Sequence, residues 1–169
     1  MVLDHYKLSK PFRALRESLK AISREPSPED VHTLCTYSRR METVMHAFSL
    51  DLKRVDSGLL KNVESIRKKS GKVRDVDVLT GLLASLPSSV DDQCRIQLLE
   101  HLVDRRGRLV RKLHCLIAKS GKGARRSLRR YSFRIDRDFG SSKNGSTDAN
   151  RSRVNTAATA LWLFATLAE

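Results

Sequence analysis

The chain has 169 residues, 33 Lys and Arg against 19 Asp and Glu, a net charge of +14 and a pI near 10.3. That length fits one domain with a core of its own, and the charge surplus calls for an anionic partner: nucleic acid, polyphosphate or an anionic membrane surface. Three cysteines (Cys35, Cys94, Cys115) make no disulfide framework, MVLDHYKLSK lacks a signal-peptide core, and the longest apolar run, Ala157–Ala168, is too short to span a bilayer; a soluble cytoplasmic protein is expected.

In chain order, Phe12, Leu15, Leu19 and Ile22 recur at helical spacing and predict a helix over about 10–24, with Pro11 in its first turn. Its other face shows Arg13, Arg16, Lys20 and Arg24. Ser27-Pro28-Glu29-Asp30 is a helix start: a capping serine, proline at the first position and acids in the first turn. The second helix runs from there to about 54. Within it Leu34, Tyr37, Met41, Val44, Met45 and Phe48 share one face, and His32, Thr36, Arg39 and Thr43 the other, with Arg40 at its edge.

Leu59, Leu60, Val63 and Ile66 open a third helix, which Ser70-Gly71 interrupts or ends; it resumes at Arg74 with Val76, Leu79, Leu82 and Leu83 as the buried set. After a loop at Leu86-Pro87-Ser88-Ser89, a helix over about 90–119 carries a stripe from Leu99 to Ile117 that includes Val103. Ser120-Gly121-Lys122-Gly123 reads as a turn, and a last basic helix follows, with Leu128, Tyr131, Ile135 and Phe139 on one stripe and arginines around the rest. The surplus charge sits here: residues 101–169 carry 16 Lys and Arg against 5 acids. Residues 140–153 hold no apolar side chain larger than alanine and are expected to be disordered, and 154–169 reads as a C-terminal helical segment that docks on the bundle or on another chain. The helical domain is thus residues 1–139, and the fold an all-α, up-and-down bundle of four to five helices.

Two constellations carry chemistry. The first is the histidine–arginine face of residues 31–48; taken alone, it reads first as a solvated helix face. The second is Ser70–Val78, SGKVRDVDV, in which Lys72 and Arg74 stand beside Asp75 and Asp77. A carboxylate there caps the resumed helix or holds an arginine in one rotamer, ready for an oxyanion.

Together these stretches resemble the CHAD family, the conserved histidine α-helical domain. His32, Leu34, Arg39 and Arg40 match its histidine–arginine helix, and Gly71, Arg74, Asp75, Asp77, Val78 and Leu79 match its Gly-x-x-Arg-Asp-x-Asp-Val-Leu stretch. The resemblance covers about residues 5–135. It implies a helical fold of two bundle-like halves about a pseudo-twofold axis, with this chain looking like one half. It also implies binding of inorganic polyphosphate in a basic groove, often at polyphosphate granules. The expected polyphosphate-binding residues are His32, Arg39, Arg40, Lys72 and Arg74, with Arg13, Arg16, Lys61 and Lys68 in support; His32 would serve as a hydrogen-bond donor to phosphate. Two departures stand out. Cys35 occupies the position after His-x-Leu where the family usually has arginine. No second histidine–arginine helix follows, His114-Cys115-Leu116 being the nearest, so a homodimer is one way to complete the groove.

Physics supports a polyanion partner independently. Polyphosphate offers one charge per unit and no base edges, so its binder needs many cations, bidentate arginine above all, and little aromatic surface. The chain has only 5 Phe, 3 Tyr and 1 Trp. The alternative is a basic helical nucleic-acid-binding protein, with the arginine-dense segment 105–137 following a duplex backbone. It lacks a helix-turn-helix, zinc-finger or RNP signature and stacking aromatics. Enzyme chemistry finds little footing. Asp75 and Asp77 point in different directions from a helix, and a zinc site of His32, Cys35, Glu42 and His46 is less in keeping with the spacing than a cap or a surface ion pair. No catalytic residue, metal or cofactor is expected. The three cysteines are expected to be small buried hydrophobes, and Gly121-Lys122-Gly123 lacks P-loop spacing.

Overall fold

The computed structural model describes residues 5–49, 57–87 and 92–140, which form four α-helices. These are α1 (His5–Ala21), α2 (Pro28–Ser49), α3 (Ser57–Ala84) and α4 (Asp92–Gly140). α1 packs on α2 and α4, and α3 packs on the same two, so the helices form a ring in which α2 and α4 lie diagonally and do not touch. Cross-links fix the directions. Arg13, midway along α1, pairs with Asp136 near the end of α4, Arg125 earlier in α4 donates to the carbonyl of Leu19 near the end of α1, and Asp77 of α3 pairs with Arg106. Each helix runs antiparallel to its neighbours, as in an up-and-down bundle.

The interior is aliphatic: Phe12, Leu15 and Leu19 from α1, Leu34, Met41 and Met45 from α2, Val63, Ile66 and Val73 from α3, Leu113, Ala124 and Leu128 from α4. Phe12 also stacks on Tyr131, ring centroids 6.3 Å apart. The start of α2 is a capping box. The Asp30 amide donates to the Ser27 hydroxyl (3.1 Å) and the Ser27 amide donates to the Asp30 carboxylate (3.0 Å). The Ser27 hydroxyl, then its amide, hold the Asp30 carboxyl below the ordinary range.

The expected elements hold in kind, with four corrections. α1 begins at His5, so Pro11 lies inside it; the carbonyl that loses its donor belongs to exposed Lys7, where water can replace the bond. α3 runs unbroken through Ser70-Gly71, because Ser70 is buried, donates to the Arg67 carbonyl and continues the packing row Leu59–Val63–Ile66–Ser70–Val73. The turn expected at residues 120–123 is helix, so 92–140 is one element about 73 Å long. There Ser120 donates to the Leu116 carbonyl and Gly121 is buried, so packing overrides weak propensity.

The fourth correction concerns burial. The ends of α3 and α4 project past the α1–α2 loop, whose Pro26 carbonyl meets Arg106. Leu82 and Val103, expected in the core, are therefore 60% and 62% exposed; Leu79, also expected there, follows Lys72 by seven residues on the outer face of α3 and is 52% exposed, while Val76 is buried. Of the cysteines only Cys35 is buried; Cys94 and Cys115 are exposed. The Phe48 and Phe139 side chains, the linker at 141–153 and the segment 154–169 lie outside the described residues.

Candidate functional site

The two constellations fall on adjacent antiparallel helices. Glu42 of α2 accepts a hydrogen bond from Arg67 of α3 at 2.6 Å, and this pair marks the register. Counted from it, Arg39 comes level with Ser70 and His32 level with Asp77. His32, Thr36, Arg39 and Thr43 stand in one row on the outer face of α2, above the buried row Val31, Leu34, Met41 and Met45. Arg39 is exposed and His32 half-buried. Arg40, also exposed, turns to the far flank of the helix, where its guanidinium lies 6.0 Å from the Tyr37 ring centroid.

On α3, Arg74 follows Arg67 by seven residues and so shares its α2-facing flank, half-buried in the seam. Lys61, Lys68 and Lys72 form a separate exposed row on the outer face. His32, Arg39, Lys61, Lys72 and Arg74 have no ion pair with a described residue. Lys68 is held by Glu64 at 2.7 Å. Its ammonium draws the Glu64 carboxyl below the ordinary range.

Arg13 and Arg16 belong to a different face. They lie on α1 beside α4, across the ring from the α2–α3 seam. Arg13 pairs with Asp136 at 2.5 Å and also covers the Tyr6 ring, and Arg16 pairs with Glu17 at 2.7 Å. The nine expected residues therefore split between two surfaces, and three of them already hold carboxylates of the same chain.

The acids of the second constellation have distinct roles. Asp77 is half-buried against Arg106 of α4, Nε to Oδ1 2.5 Å, and the same guanidinium donates to the Pro26 carbonyl at 2.8 Å. One arginine thus fastens α3, α4 and the α1–α2 loop. Asp75 is exposed beside the cation row. Glu42 is committed to Arg67, and burial pushes its carboxyl above the ordinary range despite that guanidinium. Cys35 is 1% exposed, in the core flank of α2 rather than among the cations. A side chain at this position faces packing and takes no part in the exposed row. Among the described residues no three of His, Cys, Asp and Glu come together as metal ligands.

Sequence reasoning missed Arg67, Arg106 and Arg125 as internal fasteners. For Arg67 a signal existed, its seven-residue spacing to Arg74; for Arg106 and Arg125 the partners are carbonyls and a distant acid, which no local pattern reveals. No described helix is long and apolar enough to cross a membrane.

No curated protein and no solved structure matches the chain. A family model for the CHAD domain does, over residues 7–162. That span takes in α2, α3 and α4, all of α1 but its first two residues, and both constellations, and the chain belongs to the CHAD domain family.

Proposed function

We propose that the chain binds inorganic polyphosphate without turning it over, through His32, Arg39, Arg40, Lys72 and Arg74, and that this binding places it at polyphosphate granules. One observation carries the reading. The two halves of the family pattern lie side by side on α2 and α3, with Arg39 and Lys72 exposed and His32 and Arg74 half-buried near them, while the acids Glu42 and Asp77 are withdrawn into ion pairs with Arg67 and Arg106. Guanidinium groups held on rigid helices suit phosphate oxygens, which they bind in pairs of parallel hydrogen bonds. Lys61 extends the row. Arg13, Arg16 and Lys68 contribute less, because each must first leave a carboxylate. A second copy of the chain is the proposed source of the groove's other half.

Titration with polyphosphate and with RNA in parallel, at several salt concentrations and with oligomeric state measured in each sample, tests this. The double variant Arg39→Ala, Arg40→Ala should bind polyphosphate more weakly and lower the slope of log K against log salt by about 1.4, taking single-strand counterion release as the guide, with helicity unchanged. Unchanged affinity would remove the pair from the site. RNA that displaces polyphosphate more readily than the reverse would favour the nucleic-acid alternative, and phosphate release would overturn the non-catalytic reading.

A further inference from the structure

The outer face of α4 carries a second feature that neither constellation includes. Between Asp104 and Asp136 the helix has no acidic residue, and within that stretch every lysine and arginine except Arg106 and Arg125 is exposed. The exposed cations fall within one band opposite the buried row Val110, Leu113, Ile117, Ala124 and Leu128. Because α4 is unbroken through Gly121 and Gly123, the band is straight, and from Arg108 to Arg130 alone it extends about 33 Å. Neighbours such as Lys122 and Arg126, or Arg126 and Arg130, stand four residues apart with like charge, an arrangement that weakens a helix when no anion is bound.

We infer that this band is a separate binding track for a long, extended polyphosphate chain, and that it makes the protein selective for chain length. The inference rests on the polyphosphate reading above and adds a site to it. α4 does not touch α2, so the band faces away from His32 and Arg39. A ligand as short as triphosphate meets only one or two cations of the track, whereas a long chain engages the whole row and releases counterions along its length. The track's chemistry favours polyphosphate over single-stranded nucleic acid. Its one large exposed aromatic, Phe133, is already covered by the Arg129 guanidinium at 5.7 Å, so bases would find no row of stacking platforms.

The test uses the full chain and a variant with Lys119→Gln, Lys122→Gln, Arg126→Gln and Arg130→Gln, all exposed positions. Binding of triphosphate, long-chain polyphosphate and a poly(U) strand of equal charge is measured from low to high salt, with helicity checked by circular dichroism. The variant should lose long-chain affinity about six-hundredfold at ~0.1 M salt, with a slope lower by about 2.8 and the difference closing near 1 M. Its triphosphate affinity should stay within about threefold of the parent, since few of the lost charges meet so short a ligand. If the parent binds long-chain polyphosphate and the variant matches its affinity and slope, the track is refuted while the α2–α3 site stands. If the parent binds no polyphosphate, the broader reading falls and the track with it. If poly(U) binds the parent as tightly as polyphosphate and is equally weakened in the variant, the ligand assignment is overturned.

Discussion

Replacing Gly123 with alanine probes whether α4 is one helix. A Cβ at Gly123 meets nothing within 4 Å and the position is exposed, so alanine changes only backbone preference. Glycine inside a helix is about 0.8–1.0 kcal/mol less favourable than alanine. Gly123→Ala should therefore stabilise the protein by about 0.9 kcal/mol, or raise Tm by about 3 °C for a chain of this size. Gly121 offers an internal control. It is buried, and its Cβ would stand 3.2 Å from Ile117 Cγ2, so a shift in that side chain must offset the propensity gain. Gly121→Ala should come out near neutral. Thermal and urea melts followed by circular dichroism measure both. Were residues 120–123 a turn using the glycines' conformational freedom, Gly123→Ala would destabilise. A lower Tm for Gly123→Ala, or an equal response at the two positions, would refute the reasoning and break the straight cation band with it.

Two further outcomes follow from the ion pairs. Arg106→Ala removes two charge-assisted bonds, to Asp77 and to the Pro26 carbonyl, and strands a carboxylate only 9% exposed, so it should cost about 3 kcal/mol in urea denaturation. Adding Asp77→Ala should cost at least about 1 kcal/mol less than the sum of the single changes, and strict additivity would show that the pair is not coupled. Glu42 gives a pH dependence: its folded carboxyl holds a proton more tightly than the unfolded one, so its contribution to stability is full below the ordinary carboxylate range and is lost as pH rises through its folded pKa. Arg67 opposes that shift, so Arg67→Ala should enlarge the loss of Tm as pH rises above the ordinary carboxylate range, and Glu42→Gln should reduce it; an unchanged profile in both variants would rule Glu42 out as the titrating group.

Much of this protein is written in local pattern. The apolar stripe Leu34, Met41, Val44 and Met45 defines α2 because burial of one face follows from helical periodicity alone, and Ser27 to Asp30 caps it with bonds that span three residues. The cation row on α2 was legible for the same reason. It is whatever the apolar stripe leaves outside.

Tertiary structure decided what local pattern leaves open. Ser70-Gly71 and Ser120 to Gly123 look like breaks, because serine and glycine favour turns in isolation, yet packing and hydroxyl-to-carbonyl bonds carry α3 and α4 straight through them. Leu82 and Val103 have the periodicity of core residues, but α1 and α2 stop short of them, and no sequence window contains the length of a neighbouring helix. Charge behaves likewise. Arginines look alike along the chain, and only the fold separates those that fasten it, Arg67, Arg106 and Arg125, from those left to meet an anion, because the partner that neutralises a guanidinium lies across the bundle rather than along the helix.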